Sequence, residues 1–216
     1  MPVKISVITP TIRGKAALVA PRTGLEIQSF KSFEWIVDNH KPEDGSNLNW
    51  SLNEMIRQAD GELIVFLQDY IKPNYRGLEM FWEAYKTYDN TVFTAPVGRT
   101  IDFKDIDWDW RLHKDEKLSF SEWEIDWAAA PKKLLIECGG FDEALDKYWG
   151  FDNVNIGLRL NMNNVNMRNL KDNKAVAYDH NKIFKHPFQS LRNPEFHNDR
   201  LEQIRHGLKI NFLKTS

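Results

Sequence analysis

A chain of 216 residues with 29 basic and 31 acidic side chains has a net charge of only −2 and no run of either sign, so it offers no general field for nucleic acid or an anionic membrane. A chain of this size buries roughly 70% of its unfolded surface, so a single domain over 1–216 needs no staple. The one cysteine, Cys138, excludes an internal disulfide framework and a cysteine zinc cluster.

The start runs directly into a β-branched strand, residues 5–9, that ends in Pro10 and Thr11, and no later apolar run approaches the roughly 20 residues of a membrane helix. A soluble cytoplasmic protein without a membrane span is the expectation. The next strand, 33–38, ends in Asp38-Asn39. Helical spacing of Leu48, Leu52, Met55 and Ile56 predicts a helix over 47–59, capped by Ser46 or Asn47, with Gly61 beyond its end. A third strand, 62–68, runs into Gln68-Asp69-Tyr70, and a helix over 73–88 follows with Leu78, Phe81, Trp82 and Tyr85 on one stripe. With a fourth strand at 91–97, this alternation predicts an α/β fold, a mainly parallel central sheet flanked by helices.

From 102 to 127 neither period dominates. Asp102, Asp105, Asp107, Asp109, Glu122, Glu124 and Asp126 are interleaved there with Trp108, Trp110, Trp123 and Trp127. A short helix is expected from Pro131 to Cys138, stopped by Gly139-Gly140, with Cys138 a buried structural thiol. Then come the turn Trp149-Gly150-Phe151-Asp152-Asn153, a helix over 154–161, a strand over 175–178 and a helix from 199 to about 212. No internal repeat is present.

Ligands of open α/β sheets sit outside the carboxyl ends of the strands, which directs attention to the polar groups there. Asp38-Asn39 suits the edge of a flat ring such as a nucleobase, or a simple turn. Asp69 suits a divalent cation or a ribose hydroxyl, although one carboxylate needs further ligands, for which His180 and His186 are the candidates. Asp152 suits removal of a proton from an incoming hydroxyl, or capping of the helix it precedes. The tryptophans and acids of 102–127 suit the apolar faces and hydroxyls of a carbohydrate, or packing. Arg13, Lys15, Arg22 and Arg99 are candidate phosphate contacts or solvated surface groups.

Taken together, these stretches resemble the GT-A-fold glycosyltransferases, in particular the inverting family 2 group, with a later part similar to the Trp-Gly-x-Glu-Asp segment of galactosyltransferase-like members. The likeness runs from about Ile5 to His186 and includes Gly139-Gly140-Phe141-Asp142 before the Trp-Gly turn. It implies one Rossmann-like domain with a nucleotide-binding half at about 1–97, an acceptor half at about 98–190 and a helical tail at about 191–216. It implies a nucleoside diphosphate sugar donor, a UDP-sugar by preference, held by Thr9, Pro10, Thr11, Arg13, Asp38, Asn39, Gln68 and Asp69. Mn2+ or Mg2+ would sit on Asp69 and His180, and a glycan or glycoprotein acceptor on Trp127, Trp149 and Asp152, with Asp152 as base. The outer positions of Gln68-Asp69-Tyr70 lack the carboxylates of the family's Asp-x-Asp element, and its Glu-Asp pair is Asp152-Asn153 here. More loosely, the chain is similar to single-domain enzymes with which large DNA viruses glycosylate capsid proteins. The rivals are a non-catalytic nucleotide-sugar or glycan binding module of the same fold and a nucleotidyltransferase, to which the poorly glycine-rich Thr9-Pro10-Thr11-Ile12-Arg13-Gly14-Lys15 is ill suited.

Overall fold

A computed structural model of the chain describes residues 2–38, 47–101, 104–148, 150–178 and 192–213. In chain order the elements are β1 (Ile5–Pro10), α1 (Val19–Glu26), β2 (Phe33–Asp38), α2 (Leu48–Gln58), β3 (Leu63–Leu67), β4 (Ile71–Pro73), α3 (Gly77–Thr87), β5 (Thr91–Thr94), β6 (Val97–Thr100) and β7 (Asp107–Trp108). They continue with β8 (Trp127–Pro131), α4 (Lys132–Glu137), α5 (Asp152–Met162), β9 (Asn166–Asn169), β10 (Ala175–Tyr178) and α6 (Pro194–Arg205).

Alternation along the strands builds two cores, one on each face of the central sheet. Ile64 and Phe66 of β3 face Leu52, Met55 and Ile56 of α2, Leu135 of α4 and Ile156 and Leu160 of α5. Their neighbours Leu63, Val65 and Leu67 face Leu25 of α1 and Leu78, Phe81 and Trp82 of α3. The six strands run in the order β2-β1-β3-β8-β5-β9. β1 is parallel to β2 and β3, and β5 is parallel to β9, whereas β8 is antiparallel to both its neighbours. The sheet is thus the mainly parallel one expected. A smaller sheet, β4-β10-β6-β7, lies beside it.

Several elements differ from the sequence expectation. The run 91–97 is two strands in two sheets, because Pro96 has no N–H to continue a ladder and its carbonyl instead accepts from Ala175. β8 reads Trp-Ala-Ala-Ala-Pro, too rich in alanine to look like a strand, yet these small residues are fully buried between β3 and β5. Pro131 closes that strand and cedes the start of α4 to Lys132, and Pro73 belongs to β4, so α3 starts at Gly77. Asn47 makes no side-chain cap for α2. The Asp146 carboxylate caps that helix from a distance, accepting from the backbone N–H groups of Asn49 (2.8 Å) and Trp50 (2.9 Å). The last helix begins earlier, at Pro194 with Asn193 capping it, and ends at Arg205. Cys138 is buried as expected, and burial pushes its thiol up.

The reversed direction of β8 matters for the site. Trp127 pairs with Leu67 at the carboxyl end of β3, so the residues just before β8 share that edge, and Gln68 donates its N–H to the Asp126 carbonyl at 3.1 Å.

Candidate active site

At the carboxyl edge of β1 and β3 three expected side chains meet. The Thr11 hydroxyl donates to Asp69 Oδ2 at 2.6 Å and accepts the Arg13 N–H at 3.1 Å. The Arg13 guanidinium forks onto the same carboxylate, through Nε to Oδ2 at 3.0 Å and through Nη2 to Oδ1. Asp69 is 5% exposed, and its buried carboxylate oxygens find their partners in the Arg13 guanidinium and the Thr11 hydroxyl. Arg13 keeps 29% of its side chain in solvent and lies 5.6 Å from the centre of the Tyr70 ring. The Tyr70 phenol is pushed well above its ordinary range by burial and by Asp126, with Arg99 and Arg13 acting the other way.

Pro10 and Asp38 are paired at the ends of β1 and β2, and the Thr11 N–H extends that ladder to the Asp38 carbonyl at 2.9 Å. Gln68 is half-buried at the end of β3. Thr9 is one correction: it is fully buried on the sheet face of Ile5 and Val7, because side chains alternate along β1, and its hydroxyl accepts from the Trp35 indole at 2.9 Å. Trp127 is a second correction. It is fully buried, packs edge-on against Phe81 with 4.8 Å between ring centres, and donates its indole N–H to the Asn173 carbonyl at 2.9 Å, so it has no surface for an acceptor. Asn39, Asp102, Trp149, His180 and His186 lie outside the described residues.

A divalent cation fits the described donors poorly. Both Asp69 oxygens are engaged by Arg13 and Thr11, its neighbours are an amide and a phenol, and no three His, Cys, Asp or Glu side chains converge to hold a metal among the described residues. Mn2+ and Mg2+ require several oxygen ligands around one point.

Beyond β3, the acids before β8 divide into engaged and open ones. Arg111 is 2% exposed and ties the loop to the sheet: it bonds Asp109 (2.5 and 3.0 Å), Asp126 (2.6 and 2.8 Å) and the Thr94 hydroxyl (2.8 Å). The two carboxylates hold its guanidinium charged against the cost of burial. Trp123 is likewise core, donating to the Phe93 carbonyl at 2.9 Å. Trp110 is exposed and Trp108 half-exposed, so these two remain as the aromatic surface.

Glu124 is different. It is half-buried, receives only the Asn153 amide at 3.2 Å among the described residues, and is raised above the usual carboxylate range by burial and by Asp126, with Arg111 opposing. The sequence marks it as one acid among several; its distinction is that Arg111 bonds Asp109 and Asp126 and not Glu124, which only the fold reveals. Asp152, the first residue of α5, is 8% exposed and accepts from the Asn49 amide at 2.7 Å, in a group with Asp146 that joins α2 to α5. Burial raises Asp152, and it pushes Asp146 up to about 6. The turn into α5 has Gly150 and Phe151 both at positive φ, 90° and 71°. Phe151 is held in that costly conformation by stacking on His197, 4.3 Å between centres, and by the Arg192 guanidinium over its ring.

Solved structures similar to this chain share its fold. S. aureus TarS 1–349 in complex with UDP-GlcNAc superposes with a TM-score of 0.70 at 16% identity, over 94% of this chain and 65% of that one. The UDP complex gives 0.64 at 17%, over 82% and 60%, and a further S. aureus TarS structure gives 0.64 at 17%, over 82% and 37%. The chain thus shares the α/β fold of these TarS structures. The chain spans between about a third and two thirds of these TarS chains. Neither a protein-family model nor a curated protein sequence matches it.

Proposed function

We propose that this protein is a glycosyltransferase that moves a sugar from a nucleoside diphosphate donor, by preference a UDP-sugar, to a hydroxyl of a glycan or glycoprotein, with inversion. The observation that supports it most is the Thr11, Arg13 and Asp69 cluster at the ends of β1 and β3, in a fold shared with a protein solved in complex with UDP-GlcNAc. In this reading Pro10, Thr11, Asp38, Asn39 and Gln68 border the nucleoside. The bond between the anomeric carbon and the β-phosphate oxygen breaks, its electron pair leaves on the diphosphate, and the acceptor oxygen bonds the anomeric carbon from the opposite face.

The acceptor proton requires a carboxylate with a raised pKa near the start of α5. We assign it to Glu124, because that group is only half-buried and lies beside Asn153, the second residue of α5. The second reading is Asp152, expected from the family resemblance and also raised, but engaged with Asn49 beneath the surface. The test is incubation with a panel of nucleoside diphosphate sugars, following release of the diphosphate and glycosylation of candidate acceptors. Release by the wild type and its loss in Asp69→Asn support the reading. Ligand-induced stabilisation with no product from any donor would favour a binding module of the same fold.

A further inference from the structure

We propose that the Arg13 guanidinium takes the place of a divalent cation in this crevice, with Arg99 assisting it, so that the donor diphosphate is bound and released without a metal ion. The inference rests on the glycosyltransferase reading and concerns how that site meets its most charged ligand.

A diphosphate leaving group needs positive charge close to its oxygens, and it needs more as the bond to the sugar breaks. The chain provides one buried carboxylate at the end of β3 where a cation would be held, and that carboxylate already holds a cation, Arg13. The pairing is two-pronged and reinforced by the Thr11 hydroxyl, so the guanidinium is fixed in the plane of the Asp69 carboxylate. Nε and Nη2 face the acid, which directs Nη1 and the outer N–H of Nη2 away from it, and the side chain keeps 29% of its area in solvent. A planar fork with donors on its outer side matches phosphate oxygens, and a guanidinium stays charged at any working pH. Arg99, exposed on β6, is in register with Ala177 of β10, which in turn pairs Ile71, the residue after the Tyr70 that Arg13 overlies, so a second permanent charge stands on the neighbouring sheet. Thus Asp69 positions Arg13, and Arg13 carries the contact with the diphosphate.

The experiment is calorimetric titration of UDP, GDP, CDP, ADP and dTDP, and of the matching nucleosides, in EDTA and in Mn2+, with donor turnover measured in both buffers. For the diphosphate that binds, affinity and turnover in EDTA should lie within about threefold of their values in Mn2+. Arg13→Ala should weaken the diphosphate at least about tenfold, as expected for a lost charged fork, and leave the nucleoside unaffected. Arg13→Lys keeps the charge without the fork and should fall between the two, which serves if the alanine variant does not fold. A tenfold gain in affinity on adding Mn2+, or equal diphosphate binding by wild type and both variants, would overturn the proposal while leaving the glycosyltransferase reading intact. Absence of nucleotide binding in either buffer would remove both.

Discussion

The two sides of the crevice handle charge in opposite ways. On the side proposed to hold the donor, at the ends of β1 and β3, one acid is joined to one arginine that keeps part of its side chain in solvent. On the side proposed to hold the acceptor the acids are more numerous, but Asp109 and Asp126 are closed around Arg111, Glu122 around Lys114, and Asp146 around the start of α2. Abundance of carboxylates is therefore a poor guide to chemistry. What distinguishes a working group is the side of it left unpartnered, and Arg13 and Glu124 have such a side.

This contrast is breakable by mutation. Asp69→Asn should lower donor turnover by about 100-fold or more, because the guanidinium is no longer held under the diphosphate. Its melting temperature should change far less than that of an Arg111 variant. Arg111→Met should do the reverse, since it leaves two adjacent carboxylates without their buried partner. A loss of about 3–5 kcal/mol, or about 10 °C in thermal melting, is expected with nucleotide affinity retained. Should Arg111→Met abolish nucleotide binding in a folded protein, the division between the two sides is wrong.

Glu124→Gln should reduce transfer by about 100-fold and remove the acidic limb of the pH profile, with diphosphate affinity unchanged. If Asp152→Asn removes that limb instead, the acceptor proton goes to Asp152. The smaller effects concern stability. Asp146 rises to about 6 in the folded protein from 3.8, so the fold binds its proton more tightly than the unfolded chain does. Its contribution is fully present below about pH 3.8 and is lost as pH rises through about 6, a difference of about 3 kcal/mol. Chemical denaturation of wild type and Asp146→Asn should thus show the wild type gaining on the variant as pH falls from 7 to 4. Glu122, lowered to about 2 chiefly by Lys114, has the opposite sign: its contribution is present above 4.5 and fades as pH falls toward 2, which Glu122→Gln would reveal as a small loss at neutral pH only.

The stretch 1–97 is the more legible in sequence, for a physical reason. β1, β2 and β3 are runs of apolar β-branched residues whose polar ends mark the crevice, and Thr11 and Asp69 follow directly. Period alone does not say which face a strand-end residue takes, and Thr9, a ligand contact by the family resemblance, is buried with its hydroxyl on the Trp35 indole. Over 102–127 the signal is composition, and composition does not report pairing: Trp127 and Trp123 fill the core, and Arg111 draws in its acids across 15 residues or fewer without any local period. The alanine strand β8 was illegible because its position between two strands, rather than its propensity, makes it a strand.

The most direct test of the account is a calorimetric titration of UDP and the other nucleoside diphosphates into the wild-type protein and into Asp69→Asn. Binding of one diphosphate by the wild type, weakened at least about tenfold in a folded Asp69→Asn variant, is the predicted result. Equal affinity in the two proteins, or no binding by the wild type, would contradict the claim that the ends of β1 and β3 grip an activated sugar.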